Sequence, residues 1–96
     1  MIELSRSTGI VTANGIPTGV PPVGLVSGFD IITKTALTVS TVAIHDGANS
    51  NIVLATGSSN AESVGFATTI PLNVPVKWDY GMWIELTAAN AVVRYV

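Results

Sequence analysis

Branching at Cβ dominates this chain: Val (13), Thr (11) and Ile (9) supply 33 of its 96 residues, whereas Gln is absent and Lys, Arg and Glu together number seven. A second heavy atom on Cβ restricts χ1 against the preceding turn of a helix, and it packs well on a pleated surface. The bias therefore selects strands. Nine Gly and five Pro interrupt the apolar runs often enough to keep those strands short. Strand signals fall at residues 23–26, 29–33, 37–46, 52–56, 62–70, 74–78, 82–87 and 91–96, with turn clusters such as Asp46-Gly47, Gly57-Ser58-Ser59-Asn60 and Asp79-Tyr80-Gly81 between them. About eight short strands with turns every 8 to 12 residues predict an all-β fold, a small antiparallel β-sandwich or jelly roll. No stretch carries a helical period.

The first 22 residues differ from the rest. Segments 2–5 and 9–12 could form short strands, but Asn14-Gly15, Pro17, Gly19 and Pro21-Pro22 break every longer run. Asn-Gly favours a two-residue hairpin turn, and two consecutive prolines remove two amide donors, so no central strand passes there. The composition predicts an extended N-terminal arm over 1–22 that either frays or lies on another chain, followed by a β-sandwich domain over 23–96.

Charge is scarce. Asp, Glu, Lys and Arg make up 10% of the chain, against about 25% in an ordinary soluble domain. The polar surface must then consist mostly of Thr, Ser, Asn and backbone, which is cheaper to desolvate against a neighbour than an ionic one. A Ser/Thr-coated secreted domain would share this trait. The N-terminus, however, lacks the basic and apolar regions of a signal peptide, so synthesis in a cytoplasm without export by that route is expected. A net charge of −2 with four scattered basic residues argues against nucleic-acid binding. No apolar run approaches the roughly 20 residues that span a bilayer. The charge deficit favours a subunit much of whose surface is covered in an assembly over a secreted, Ser/Thr-coated domain.

Catalytic equipment is missing from the pattern. With no cysteine, disulfides, thiolate chemistry and Cys-based metal sites fall away. His45-Asp46 is the one His–carboxylate neighbour pair, and adjacent strand residues face opposite ways. Asp46 is read as opening a turn and His45 as ending a strand. Asp46, Asn49 and Asn51 superficially resemble an oxygen-rich calcium loop, but the spacing is not that of an EF-hand and no closing Glu follows. A nucleophile needs an adjacent base, and no G-x-S-x-G elbow is present. Glycosidase chemistry needs two apposed carboxylates, and nothing marks Glu62, Asp79 and Glu85 as a pair. The sequence predicts no enzyme, no cofactor and no metal site. Trp78, Tyr80 and Trp83 are the candidate contact residues: three aromatics within six residues around one turn. They could close one end of the core, anchor a neighbouring subunit, or stack on a sugar.

The segment from Leu37 onward carries a resemblance. Its Thr/Val strand enters His45-Asp46-Gly47, a polar turn leads to Ile52-Val53-Leu54-Ala55-Thr56-Gly57, and a Ser-rich turn leads to a strand entering Ile70-Pro71-Leu72. A tight turn at Tyr80-Gly81 precedes Met82-Trp83-Ile84-Glu85-Leu86-Thr87, and Val92-Val93-Arg94-Tyr95-Val96 closes the chain. This order resembles the small β-sandwich virion proteins of tailed bacteriophages. One departure is Ala89-Asn90 where a Gly is expected in the last hairpin, although Asn tolerates the left-handed conformation. The resemblance implies a capsid decoration (cement) protein on the virion surface, a homotrimer whose partner is the major capsid protein and which bridges coat subunits. The alternatives it leaves are a tail, neck or fibre component, or a glycan-binding β-sandwich module.

Overall fold

Seven strands order the residues that the computed structural model describes, namely 5–47, 52–60 and 62–96. In chain order they are β1 (Arg6–Ser7), β2 (Gly24–Thr33), β3 (Ser40–Asp46), β4 (Val53–Ser59), β5 (Ala67–Trp78), β6 (Met82–Thr87) and β7 (Ala89–Tyr95). They pair antiparallel throughout, in a four-stranded sheet of order β1-β7-β2-β5 and a three-stranded sheet of order β4-β3-β6. The two sheets stack as a small β-sandwich, the all-β class that the residue bias selects.

Strict alternation builds the interior. Along β3, Ser40, Val42, Ile44 and Asp46 are buried and the residues between them half-buried; along β7, Ala89, Ala91, Val93 and Tyr95 repeat the pattern. Successive strand side chains point to opposite faces, so each central strand gives one complete row to the core. Phe29 and Ile31 from β2, Met82 and Ile84 from β6, and Trp78 from the end of β5 fill the space between these rows. Gly57 lets the layers meet: a Cβ there would stand 3.2 Å from the Phe29 ring.

Several boundaries differ from those expected, each for a local reason. Segments 23–26 and 29–33 form one strand, because the Ser27-Gly28 bend is absorbed as a register shift in both pairings of β2. Segments 62–70 and 74–78 likewise yield one strand beginning at Ala67, which runs through Pro71 and Pro75. It can do so because β5 is the outer strand of its sheet, where a missing N–H costs no ladder bond. Residues 62–66 turn instead, held by Gly65 N–H to Thr33 O (2.8 Å) and Thr33 N–H to Phe66 O (2.9 Å). The long third signal begins at Ser40, since Leu37 takes a left-handed φ of 59° within the loop before it. In the last hairpin Ala88 takes the positive φ (51°), and Asn90 lies inside β7 rather than in the turn.

The arm departs furthest from expectation. Residues 2–4 of its first candidate strand lie outside the described residues, but from Ser5 onward the arm lies on its own chain. Beyond β1, Thr8 N–H donates to Val93 O (3.0 Å), and Val11 and Ala91 exchange two backbone bonds (2.7 and 3.0 Å). The chain then crosses to the other sheet, where Gly15 and Ile84 exchange two more (3.0 and 2.9 Å) and Leu86 N–H donates to Asn14 Oδ1 (2.9 Å). Pro and Gly forbid a long strand here, yet isolated bridges need only one well-placed residue each. The arm thus closes the side of the sandwich bounded by β6 and β7.

Its last part meets the core at Trp78. The indole Nε1–H donates to Pro21 O (3.1 Å), and the ring lies edge-on to Tyr95 with centroids 5.8 Å apart. Gly24 sits over the same ring, and a Cβ there would come within 2.4 Å of it. Because Trp78 is enclosed and cannot swing away, Gly24→Ala is expected to destabilise the fold by about 2 kcal/mol or more through overpacking. Urea denaturation measures this, and a change under about 0.5 kcal/mol would show the ring to be loosely held.

Candidate functional site

The three candidate aromatics leave the turn between β5 and β6 in three directions. Trp78 points into the core and is fully buried. Tyr80 projects from the turn and is 77% exposed. Trp83, one residue after the strand start, lies on the outer face of the β4-β3-β6 sheet. They form no common platform. The reason is strand parity: Met82 and Ile84 must face inward, so Trp83 faces out.

Asp46 fixes the turn itself. Its buried carboxylate Oδ1 accepts the backbone N–H of Asp79 (2.9 Å) and of Tyr80 (2.8 Å), and Gly47 N–H donates to Gly81 O (2.8 Å). Two amide donors that a tight turn leaves without ladder partners are thereby satisfied by one ionisable side chain, the stronger kind of hydrogen bond. Asp46 therefore closes a turn distant in sequence, in addition to ending its own strand. Asn49 and Asn51, the other members of the calcium-like pattern, lie outside the described residues.

On the outer face His45 and Trp83 are cross-strand partners in the β3–β6 register, with ring centroids 5.5 Å apart at 65°. Glu85 Oε1 stands 3.7 Å from His45 Nε2, beyond hydrogen-bonding reach. Among the described residues, neither ring nitrogen of His45 has a hydrogen-bond partner. His45 and Asp46 face opposite ways, as adjacent strand residues must, so no carboxylate orients the imidazole from behind. Val53 and Ala43 are the next residues of this face, and the hydroxyl-bearing Thr56, Thr41, Ser58 and Thr87 lie further along it. Sequence order gives no hint that His45 and Trp83 meet, because only the register of β3 against β6 brings them together.

The remaining carboxylates do not converge. Asp79 pairs with Lys77 Nζ at 3.2 Å in the exposed turn, Glu85 stands beside His45, and Glu62 belongs to the loop between β4 and β5, in a shallow depression with Ser59, Asn60, Ser63 and Phe66. Among the described residues no three His, Asp or Glu side chains gather at metal-ligating distance. Compared with known protein families, curated proteins and solved structures, the chain matches none of them.

The partly buried ion pair lies on the opposite face of the molecule. Arg94 Nη1 donates to Asp30 Oδ2 at 3.0 Å and links β7 to β2. This bond, opposed by partial burial, holds the Asp30 carboxyl below its ordinary value of 3.8. A lowered folded-state pKa means that the ionised form favours folding. The contribution is complete above the unfolded value and is lost as pH falls from about 4 through the folded value. The pair is expected to contribute on the order of 1 kcal/mol. Asp30→Asn should therefore cost stability at pH 7 and lose less than the wild type on acidification, as followed by urea denaturation at a series of pH values; parallel pH profiles would contradict the assignment.

Proposed function

We propose that this chain is a structural subunit of a larger particle, and specifically a decoration protein on the capsid of a tailed phage. It acts by contact alone, adding interface between neighbouring coat subunits and so raising the barrier to rupture of the shell. The carrying observation is the distribution of exposed apolar side chains against a chain with only ten charged residues. Leu37 and Val39 in the loop between β2 and β3 share one end of the sandwich with Val64 and Phe66 in the loop between β4 and β5. The two loops are tied there by the bonds between Thr33 and residues 65–66. Tyr80, Val23 and Ile52 mark the opposite end. Single exposed apolar residues are ordinary, but an apolar cap with few charges around it suits a surface covered by a neighbour. The virion identity rests on the resemblance of residues 37–96.

A second reading has one observation of its own. Trp83 beside His45 and Glu85 presents a ring flanked by polar groups, an arrangement that suits stacking on a sugar.

Replacing Leu37, Val64 and Phe66 together by Ser separates the two. These side chains are exposed, so folding stability should change by no more than about 0.5 kcal/mol per site. Occupancy on shells of the particle that carries the chain is expected to fall at least about tenfold, a loss of roughly 1.4 kcal/mol in binding, as measured by co-sedimentation. Unchanged occupancy would remove the support for the apolar cap. Quenching of Trp83 fluorescence on titration with glycans, abolished by Trp83→Ala, would favour the second reading.

A further inference from the structure

A sandwich of two open sheets has four outer edges, and here they are not equally guarded. The β1 edge is two residues long and carries Arg6. The β6 edge is occupied by the arm through the Gly15–Ile84 bridge and the Asn14 side chain on Leu86 N–H. The β5 edge contains Pro71 and Pro75, and four residues, 72–75, bulge against the single Ser27 between the pairs Gly28–Pro71 and Val26–Val76. Short length, charge, proline and bulges are the devices by which edges avoid pairing with another chain. The edge formed by β4 is neither short, charged nor interrupted by proline, and its one bulge is confined to an end of the strand. Val53–Ser59 reads VLATGSS, seven residues without proline or charge. Its bulge lies at its first residues, against Ile44 and His45. Among the described residues, no backbone bond from outside β3 reaches it.

We propose that this edge pairs with β4 of a second copy of the chain, antiparallel about a two-fold axis, to make one continuous six-stranded sheet. The sequence of the strand favours itself as the partner. Full overlap of the seven residues places the axis at Thr56, so that Thr56 opposes Thr56, Ala55 opposes Gly57, Leu54 opposes Ser58 and Val53 opposes Ser59. No like charges meet, and a Thr–Thr pair across antiparallel strands is a favourable one. A two-fold contact of this kind uses one patch twice and closes after two copies. The strand alternation holds across the central pairs of the junction, with Thr56 on the outer face and Ala55 and Gly57 on the core side, and is lost at the outer pairs, where the β4 bulge turns Leu54 toward the core. The inference concerns the free chain and stands whether or not the virion reading holds. It gives a dimer, in place of the trimer that the resemblance implies.

The test is the mass of the full chain in solution, with Thr56→Lys and Thr56→Glu as variants. Thr56 is exposed and its hydroxyl donates to Val42 O at 3.2 Å, so both variants lose the same bond and differ in the sign of charge placed at the axis. Wild-type chain is expected to sediment at twice the 9.9 kDa of the monomer. Each variant alone should be monomeric, and an equimolar mixture of the two should return to the dimer. A wild-type monomer or trimer, or a Thr56→Lys variant as dimeric as wild type, overturns the proposal. Should neither variant fold, amide exchange on the wild-type chain decides. The β4 amides turned away from β3 should gain about tenfold protection over a hundredfold rise in concentration across the dissociation constant, following mass action. Protection independent of concentration contradicts the pairing.

Discussion

The paired bonds that Val11 makes to Ala91 and Gly15 makes to Ile84 hold the sandwich closed. A sheet bonds only to its own strands, so the two layers are otherwise joined by side-chain packing and by the loops that cross between them. One short segment that bonds to the backbone of both layers converts a stack into a closed unit on that side. It also covers the β6 and β7 edges, which would otherwise present free donors and acceptors. An arm engaged in this way is no longer available as a tether to a neighbour. Assembly must then use other surfaces: the apolar loop ends and the unguarded β4 edge.

The corner near Trp78 shows how a chain with little charge organises its polar groups. Asp46 gives one carboxylate oxygen to two turn amides, and Pro21 O takes the indole N–H. Both are buried groups satisfied by backbone, which suits a protein with few side chains available for ionic networks. The consequence is that the β5–β6 turn is held from beneath and Tyr80 is left outside. Trp83 is separated from it by strand parity. A cluster of aromatics in sequence therefore becomes one core residue, one exposed turn residue and one member of an outer-face pair.

Much of the fold was legible in the residues. The β-branched bias and the spacing of turns predict the strands, whereas neither face of residues 37–46 is cleanly polar, so only the packed sheets show that Val42 and Ile44 are the buried row. Other features depend on tertiary context. Proline is excluded from central strands but accepted at an edge, so the strand through Pro71 and Pro75 depends on the outermost place of β5 in its sheet. Leu37 and Ala88 adopt left-handed backbone that favours Gly or Asn, and no local signal marks them. The pairing of His45 with Trp83 depends on a register between strands separated by more than a third of the chain. The arm is irregular in sequence and still part of the folded unit, because its bridges rest on single residues, which leave no periodicity to read.

The claim that the arm is part of the folded unit is tested most directly by native-state amide exchange. Val11 and Gly15 donate from the arm, and Ala91 and Ile84 donate to it. If the arm closes the sandwich, these four amides exchange only through global unfolding, with opening free energies within about 1 kcal/mol of that of Ile44 in the core. Exchange of Val11 and Gly15 through a separate opening several kcal/mol lower, with Ile44 still protected, would show the arm to be a detachable strap and contradict the account.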